Sequence, residues 1–221
     1  MLIRDLGTLD YNAAWDIQRQ VHEQVLAGGP EHILFVEHTP VITFGRRPDA
    51  GRNLLASQGQ LERMGVQVVQ SDRGGDITFH GIGQIVAYPI VRLADHRLSV
   101  GCYVRRLQEA TIAALADFGI TGSLDPAAVG VWVNDAKVCA VGVRIRRGVS
   151  MHGLALNVTT DLRYFELIVP CGLRQRRVTS MQKLLADRCP PMQRAKDVLA
   201  GRLAEALAAG RGCSDNAARH G

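Results

Sequence analysis

Strand-like runs follow one another in the second half of this chain without a helix to separate them. VGVWV, KVCAVGVRI, GLALNV and FELIVP occupy most of residues 129–170. Each is rich in β-branched residues, and NDAK between the first two is a turn signal that makes them a hairpin. Strands joined so directly pair antiparallel, because a parallel crossover needs a dozen or more residues, usually a helix. HILFVEH, VITFG, VQVVQS and QIVAYPIV add further runs nearer the N-terminus. The expected fold class is α/β (α+β): a mixed, largely antiparallel sheet flanked by helices.

Helical periodicity supplies the flanking layer. Residues 11–27 carry Ala14, Ile17, Val21 and Val25 on one stripe and stop before Gly28 and Gly29. NLLASQGQLERMG reads as a shorter helix. Ser99 caps a third stripe running through Val104, Leu107, Thr111, Leu115 and Phe118, and MQRAKDVLAGRLAEALAAG follows Pro190 and Pro191. With 221 residues and 47% hydrophobic content, the expected organisation is one domain over residues 1–210. The small, polar residues 211–221 are expected to be a frayed tail.

Composition excludes several functions. No run is long enough to span a bilayer and MLIRDLGTLDYN carries no signal-peptide core, so a cytoplasmic protein without membrane contact is expected. Five cysteines, 102, 139, 171, 189 and 213, are widely spaced and lack a C-x-x-C pair. That pattern points to free thiols, with neither a disulfide framework nor a metal site. Net charge is +5, and residues 144–177 hold seven arginines against Asp161 and Glu166. Aromatics are not interleaved with these arginines, so a nucleic-acid partner is not expected. The run reads as a solvated face or a docking site for an acidic protein.

RGGDITFHGIGQIVAYPI, residues 73–90, is the densest glycine stretch. It is not a P-loop, for the chain has no Gly-Lys-Ser/Thr ending, and Val86 stands where a dinucleotide fingerprint needs its third small residue. It also leads into a strand, not a helix. Two readings remain, a tight hairpin loop or a backbone left bare so that a ligand can approach closely.

Two side chains suggest chemistry. Only three of 26 basic residues are lysines, 137, 183 and 196, and the latter two fall on polar helical positions. Lys137 instead opens a strand on which period-two alternation places it with Cys139, Val141, Val143 and Ile145. There it either lies along apolar surface from a strand end or acts as a desolvated proton carrier, which arginine cannot be. Cys171 follows FELIVP and precedes Arg174, Arg176 and Arg177. It is either buried filler, as Cys102 and Cys139 look to be, or a thiol activated by nearby positive charge.

Taken together, RGGDITFHGIGQIVAYPI, GVWVNDAKVCAVGVRI, HGLALNV, PCGL and VTSM, in this order, resemble the lipoyl(octanoyl) transferase family. The resemblance implies a fold like that of biotin and lipoate protein ligases. It also implies octanoyl transfer from octanoyl-acyl carrier protein to a lysine of lipoyl domains, without metal or other cofactor. The acceptors would be lipoyl domains of 2-oxoacid dehydrogenase complexes and the glycine cleavage H protein. Carried onto this chain, Cys171 would bear the acyl thioester and Lys137 would lower its pKa and serve as acid and base. Arg73, Gly74, Gly75, Asp76, Ile77, Thr78, Phe79 and His80, with Ala140, Val141, Gly142, Gly153, Leu154 and Ala155, would hold the acyl substrate. Phe79 replaces the family's usual tyrosine and Ile82 its proline. An ATP-dependent lipoate ligase or a silent carrier-docking module are the rival readings.

Overall fold

A computed structural model describes residues 1–169 and 176–208; Cys171, Arg174 and the tail lie outside the described residues. The elements are β1 (Leu2–Leu9), α1 (Tyr11–Leu26), β2 (His32–His38), β3 (Val41–Phe44), α2 (Gln58–Arg63), β4 (Gln67–Gln70), β5 (Ile77–His80) and β6 (Gln84–Ile90). After them come α3 (Val100–Ala116), β7 (Ser123–Asp125), β8 (Ala128–Val133), β9 (Ala136–Arg146), β10 (Val149–Asn157), β11 (Arg177–Val178), α4 (Met181–Leu185) and α5 (Met192–Ala208).

The main sheet runs β1-β2-β6-β10-β9-β8-β7, and β11 pairs with the start of β9. Only β1–β2 and β11–β9 are parallel in it. This is the mixed, largely antiparallel sheet that the strand succession predicts. A small second sheet has the order β4-β3-β5. Alternation sorts side chains between two cores: Ile33, Phe35, Ile85, Ala87, Leu154 and Leu156 join the core of α3 and α5, whereas Leu34, Val36, Val86, Tyr88 and Ala155 join that of α1. Because both faces are covered, β6 and β10 are buried along their whole length. The Asp10 carboxylate accepts from the N–H groups of Asn12 and Ala13 to start α1, and the Ser99 hydroxyl caps α3 in the same way through Cys102.

Several segments depart from the sequence expectation. NLLASQGQLERMG is helical only over Gln58–Arg63, with Ser57 as its cap; Ala50–Asn53 is a separate 3-10 turn. FELIVP is no sheet strand over its described residues, 165–169: Leu162–Leu167 forms a 3-10 turn and Ile168 bridges Leu54. Leu167 and Ile168 pack with Ile42, Ile77 and Phe79 under the small sheet, a role that a short apolar run cannot announce by period. Lys196, expected on a polar helical position, is buried and donates to Asp5 at 2.9 Å, with Glu37 3.4 Å away.

Four arginines of the arginine-rich run lie in two places. Arg144 and Arg146, late on β9, pair with Asp72 and Glu23, while Arg176 and Arg177, beside its first residues, pair with Asp125 and Asp135. About 26 Å of strand separates Ala136 from Arg144, at ~3.3 Å per residue. These four arginines thus stand beside opposite ends of β9, each paired with a carboxylate from outside residues 144–177.

Candidate active site

A cavity lies where β5, β9 and β10 meet. Among its walls are Arg73, Gly75, Asp76, Ile77, Thr78 and His80 from the glycine-rich stretch, Lys137, Ala140, Val141 and Gly142 from β9, and Gly153, Leu154 and Ala155 from β10. Three separated sequence motifs are therefore brought together. Gly74 and Phe79 are not among the lining residues. Phe79 stacks on Tyr164 with ring centres 4.6 Å apart and meets Phe165 edge-on in the small-sheet core. The Gly74 N–H donates to the Val143 carbonyl at 2.9 Å, which ties the loop to β9.

Glycine is required where backbones cross. Gly142 and Gly153 are cross-strand partners. A Cβ on Gly142 would stand 2.8 Å from the Gly74 carbonyl oxygen, and one on Gly153 only 2.1 Å from that of Ala87. Neither obstacle is a side chain that could swing aside. Arg73 fixes the loop from within: its guanidinium donates to the Thr43 carbonyl at 2.6 Å, the Thr43 hydroxyl and the Gly74 carbonyl.

Lys137 differs from its expected setting. A register shift between Val131 and Trp132 sets two steps of β9 against one of β8, a β-bulge. Consecutive Val138 and Cys139 are consequently both buried in the large core, so strict alternation fails and Lys137 falls out of phase with Cys139. Its side chain is 6% exposed, donates to the Val129 carbonyl at 3.0 Å and sits 4.9 Å from the Trp132 ring centre. Gly130 leaves room for it, since a Cβ there would lie 3.1 Å from the lysine Cε. Val178 pairs with Lys137 in the β11–β9 ladder, and Arg176 lies 4.8 Å over Trp132. The chain on either side of residues 170–175 is therefore anchored: the Val169 N–H donates to the Asn53 carbonyl, and Val178 pairs with Lys137. Cys102 and Cys139 are buried as expected, and burial pushes the Cys139 thiol up to about 12, so it is inert as a nucleophile.

The cavity also has polar walls that the sequence did not signal. Tyr11, Gln84, Tyr88, His152 and Asn157 line it, with His38 and Asp72 behind them. Hydrogen-bond partners assign the histidine tautomers. The Gln84 amide nitrogen donates to Asn157 Oδ1 and the Phe79 carbonyl, so its oxygen accepts from His80 Nδ1 at 2.8 Å. His38 Nδ1 donates to the Leu9 carbonyl and Nε2 accepts from the Tyr88 hydroxyl at 2.6 Å. His152 Nε2 donates to Asp72, and its buried Nδ1 has no hydrogen-bond partner. Desolvation holds all three rings neutral, lowering His38 to about 4, His152 to about 3 and His80 well below the usual imidazole range. Asn157 continues the network by donating to the Thr179 carbonyl, and Thr179 N–H donates to the backbone of Lys137.

Residues 10–204 match the sequence profile of the lipoyl protein ligase A/B catalytic domain. The chain belongs to this family. Among relatives of this lipoyl protein ligase A/B domain, an octanoyltransferase of Chloroflexus aggregans is 47% identical over 205 residues, 90% of this chain and 91% of its own. Another, of Solibacter usitatus, is 48% identical over 82% of each chain. Of the solved structures, a lipoate-protein ligase A bound with ATP gives a TM-score of 0.77 at 15% identity, over 93% of this chain and 84% of that one. Biotin protein ligase from Aquifex aeolicus in complex with biotin and ATP gives 0.58 at 13%, over 93% and 69%. At such identity these two show the fold alone, and it is the ligase-like fold expected from the sequence. No group of three or more metal-ligating side chains occurs among the described residues of this family member, and no described helix is long and apolar enough to cross a membrane.

Proposed function

We propose that this chain is an octanoyltransferase of protein lipoylation, with residues 1–210 acting as one catalytic unit. The observation that carries the reading is near-half identity to octanoyltransferases over nine-tenths of both chains, joined to a buried lysine in a largely apolar cavity. Octanoyl-acyl carrier protein is the donor. The acceptor is a lysine of a lipoyl domain, in 2-oxoacid dehydrogenase complexes or the glycine cleavage H protein.

Two acyl exchanges make up the reaction. In the first, the Cys171 thiolate attacks the thioester carbonyl, the C–S bond to the carrier breaks, and the departing carrier thiolate takes a proton from the Lys137 ammonium. One thioester replaces another, so the step is nearly isoenergetic. In the second, the neutral acceptor amine attacks the Cys171 thioester, its surplus proton passes to neutral Lys137, and the cysteine leaves as thiolate. The acyl chain lies against the Ile77, Ala140, Leu154 and Ala155 walls, and Gly142 and Gly153 permit the close backbone crossings that bring those walls together. Phe79 acts in the packing of the small sheet, so its lack of a hydroxyl is without consequence for proton transfer.

The test is intact-mass measurement after mixing with octanoyl-acyl carrier protein and no acceptor. An octanoyl adduct that hydroxylamine removes and Cys171→Ser lacks is expected. AMP release from free octanoate and ATP, with no adduct, would instead assign a ligase; an adduct mapping to Cys189 would refute the Cys171 role.

A further inference from the structure

A second hollow adjoins the cavity and has no role in the reaction as derived. It is a groove of about 380 Å³, within the range of small-molecule sites, walled by Val104 of α3, Pro126, Ala127 and Ala128 before and on β8, and Val143 of β9. It shares Gly75, Asp76, Val129, Val141 and Gly142 with the cavity, so the two spaces adjoin along one wall. Val129 stands at that wall, its side chain half exposed and its carbonyl holding the Lys137 ammonium.

The groove's two charged residues differ in exposure. Arg47 borders it, and its side chain is 65% exposed. The nearby Asp76 carboxylate is buried and already accepts from Asn53 Nδ2 at 3.0 and 3.1 Å and from the Ile77 N–H at 2.7 Å, with Arg47 no nearer than 3.9 Å. Asp76 thus has its oxygens turned to internal donors, whereas the Arg47 guanidinium keeps donors for an outside anion. A trough of mixed polar and apolar lining, with a cation at its border and a buried ammonium beyond its far wall, suits a long, mostly uncharged arm that carries an anion at one end and a thioester at the other.

We propose that this groove binds the phosphopantetheine arm of the acyl carrier protein, with its phosphate on Arg47 and its thioester delivered past Val129 to Lys137. The inference rests on the acyl-transfer reading above. Like charge on Arg47 disfavours the other candidate occupant, the cationic lysine of the acceptor domain.

Donor truncation tests it. Wild type, Arg47→Glu and Val104→Trp are compared with octanoyl-acyl carrier protein and with octanoyl-N-acetylcysteamine, which has neither phosphate nor full arm. Arg47→Glu raises KM for the carrier about tenfold, the scale of one charge-assisted hydrogen bond, with kcat nearly unchanged. With the small thioester it matches wild type, which also shows that the variant is folded. Val104→Trp, which narrows the groove away from the cavity, does the same. Octanoyl-pantetheine, which keeps the arm and lacks the phosphate, becomes insensitive to Arg47→Glu while remaining sensitive to Val104→Trp. An unchanged carrier KM in both variants, equal losses with both donors, or a KM change confined to the acceptor domain overturns the groove assignment and leaves acyl transfer standing. Failure of wild type with every thioester donor would remove acyl transfer itself and the inference with it.

Discussion

Asp72 accepts the Nε2 proton of His152 at 2.6 Å, and the His152 backbone stands at φ 55° on an otherwise extended strand. The ring is wedged against Trp15 and Tyr88, and Arg144 pairs with the other side of Asp72. A left-handed conformation costs an L-residue roughly 1–2 kcal/mol, which glycine avoids. His152→Gly should therefore be at least as stable as His152→Ala in urea unfolding, reversing their usual order. A clearly more stable alanine variant would show that the backbone there carries no strain.

Gly153 makes a sharper stability prediction. Its missing Cβ would meet the Ala87 carbonyl at 2.1 Å and Pro89 at 2.9 Å, both held within the sheet. Gly153→Ala should cost about 3 kcal/mol or more, or abolish soluble expression. Gly101→Ala, where nothing lies within 4 Å, is the control and should be neutral or stabilising. Comparable urea midpoints for the two variants would contradict the packing described.

Stability should fall in acid before most carboxylates titrate. His38 and His152 are buried neutral, with folded values of about 4 and about 3 against 6.5 in model compounds. Below about pH 6.5 the unfolded chain binds protons that these folded rings refuse, so unfolding gains free energy as pH drops, until the folded rings protonate near 4 and 3. The urea midpoint should decline from pH 7 to 4.5, and His38→Gln should flatten part of that slope. An equal slope in the variant would take His38 out of the acid response.

Chain-length selection should respond to Ala140. This half-buried residue lines the cavity beside its partner Ala155. Ala140→Leu adds bulk to the space, and each methylene left unburied is worth about 0.8 kcal/mol, or about fourfold in kcat/KM. Competition between hexanoyl and octanoyl donors should shift toward hexanoyl by at least that factor. An unaltered ratio would place the acyl chain elsewhere.

The lysine prediction separates the half-reactions. Lys137→Arg keeps positive charge near the Trp132 ring but cannot release a proton near neutral pH. Rapid-quench measurement should find acylation of Cys171 partly preserved and transfer to the lipoyl-domain lysine slowed by at least 100-fold. Full transfer in this variant would exclude Lys137 as the base.

How much of this could be read in advance depends on what carried the signal. The main sheet was legible because HILFVEH, QIVAYPIV and KVCAVGVRI declare themselves by β-branched composition, and α3 because Ser99 caps a clean stripe. β1 was not, since LIRDLGTL is mostly exposed and lacks alternation, and its place comes from pairing with β2 and from the distant Lys196 that holds Asp5. Lys137 and the lining glycines stood out by residue type. Their phase did not, because the bulge opposite Val131 depends on pairing, which a single strand does not encode. Tyr11, Tyr88 and His38 escaped for the same reason: their roles come from one another, through contacts between residues far apart in sequence.

Lys196 links the last helix to the site by an indirect route. It holds Asp5 and lies beside Glu37, whose other carboxylate oxygen accepts from the N–H of Gly83 in the glycine-rich turn. The end of the chain thereby steadies a turn built more than a hundred positions earlier. A substitution that removes the Lys196 ammonium would free Asp5 and Glu37 together, and so loosen β1 and the Gly83 turn at one stroke.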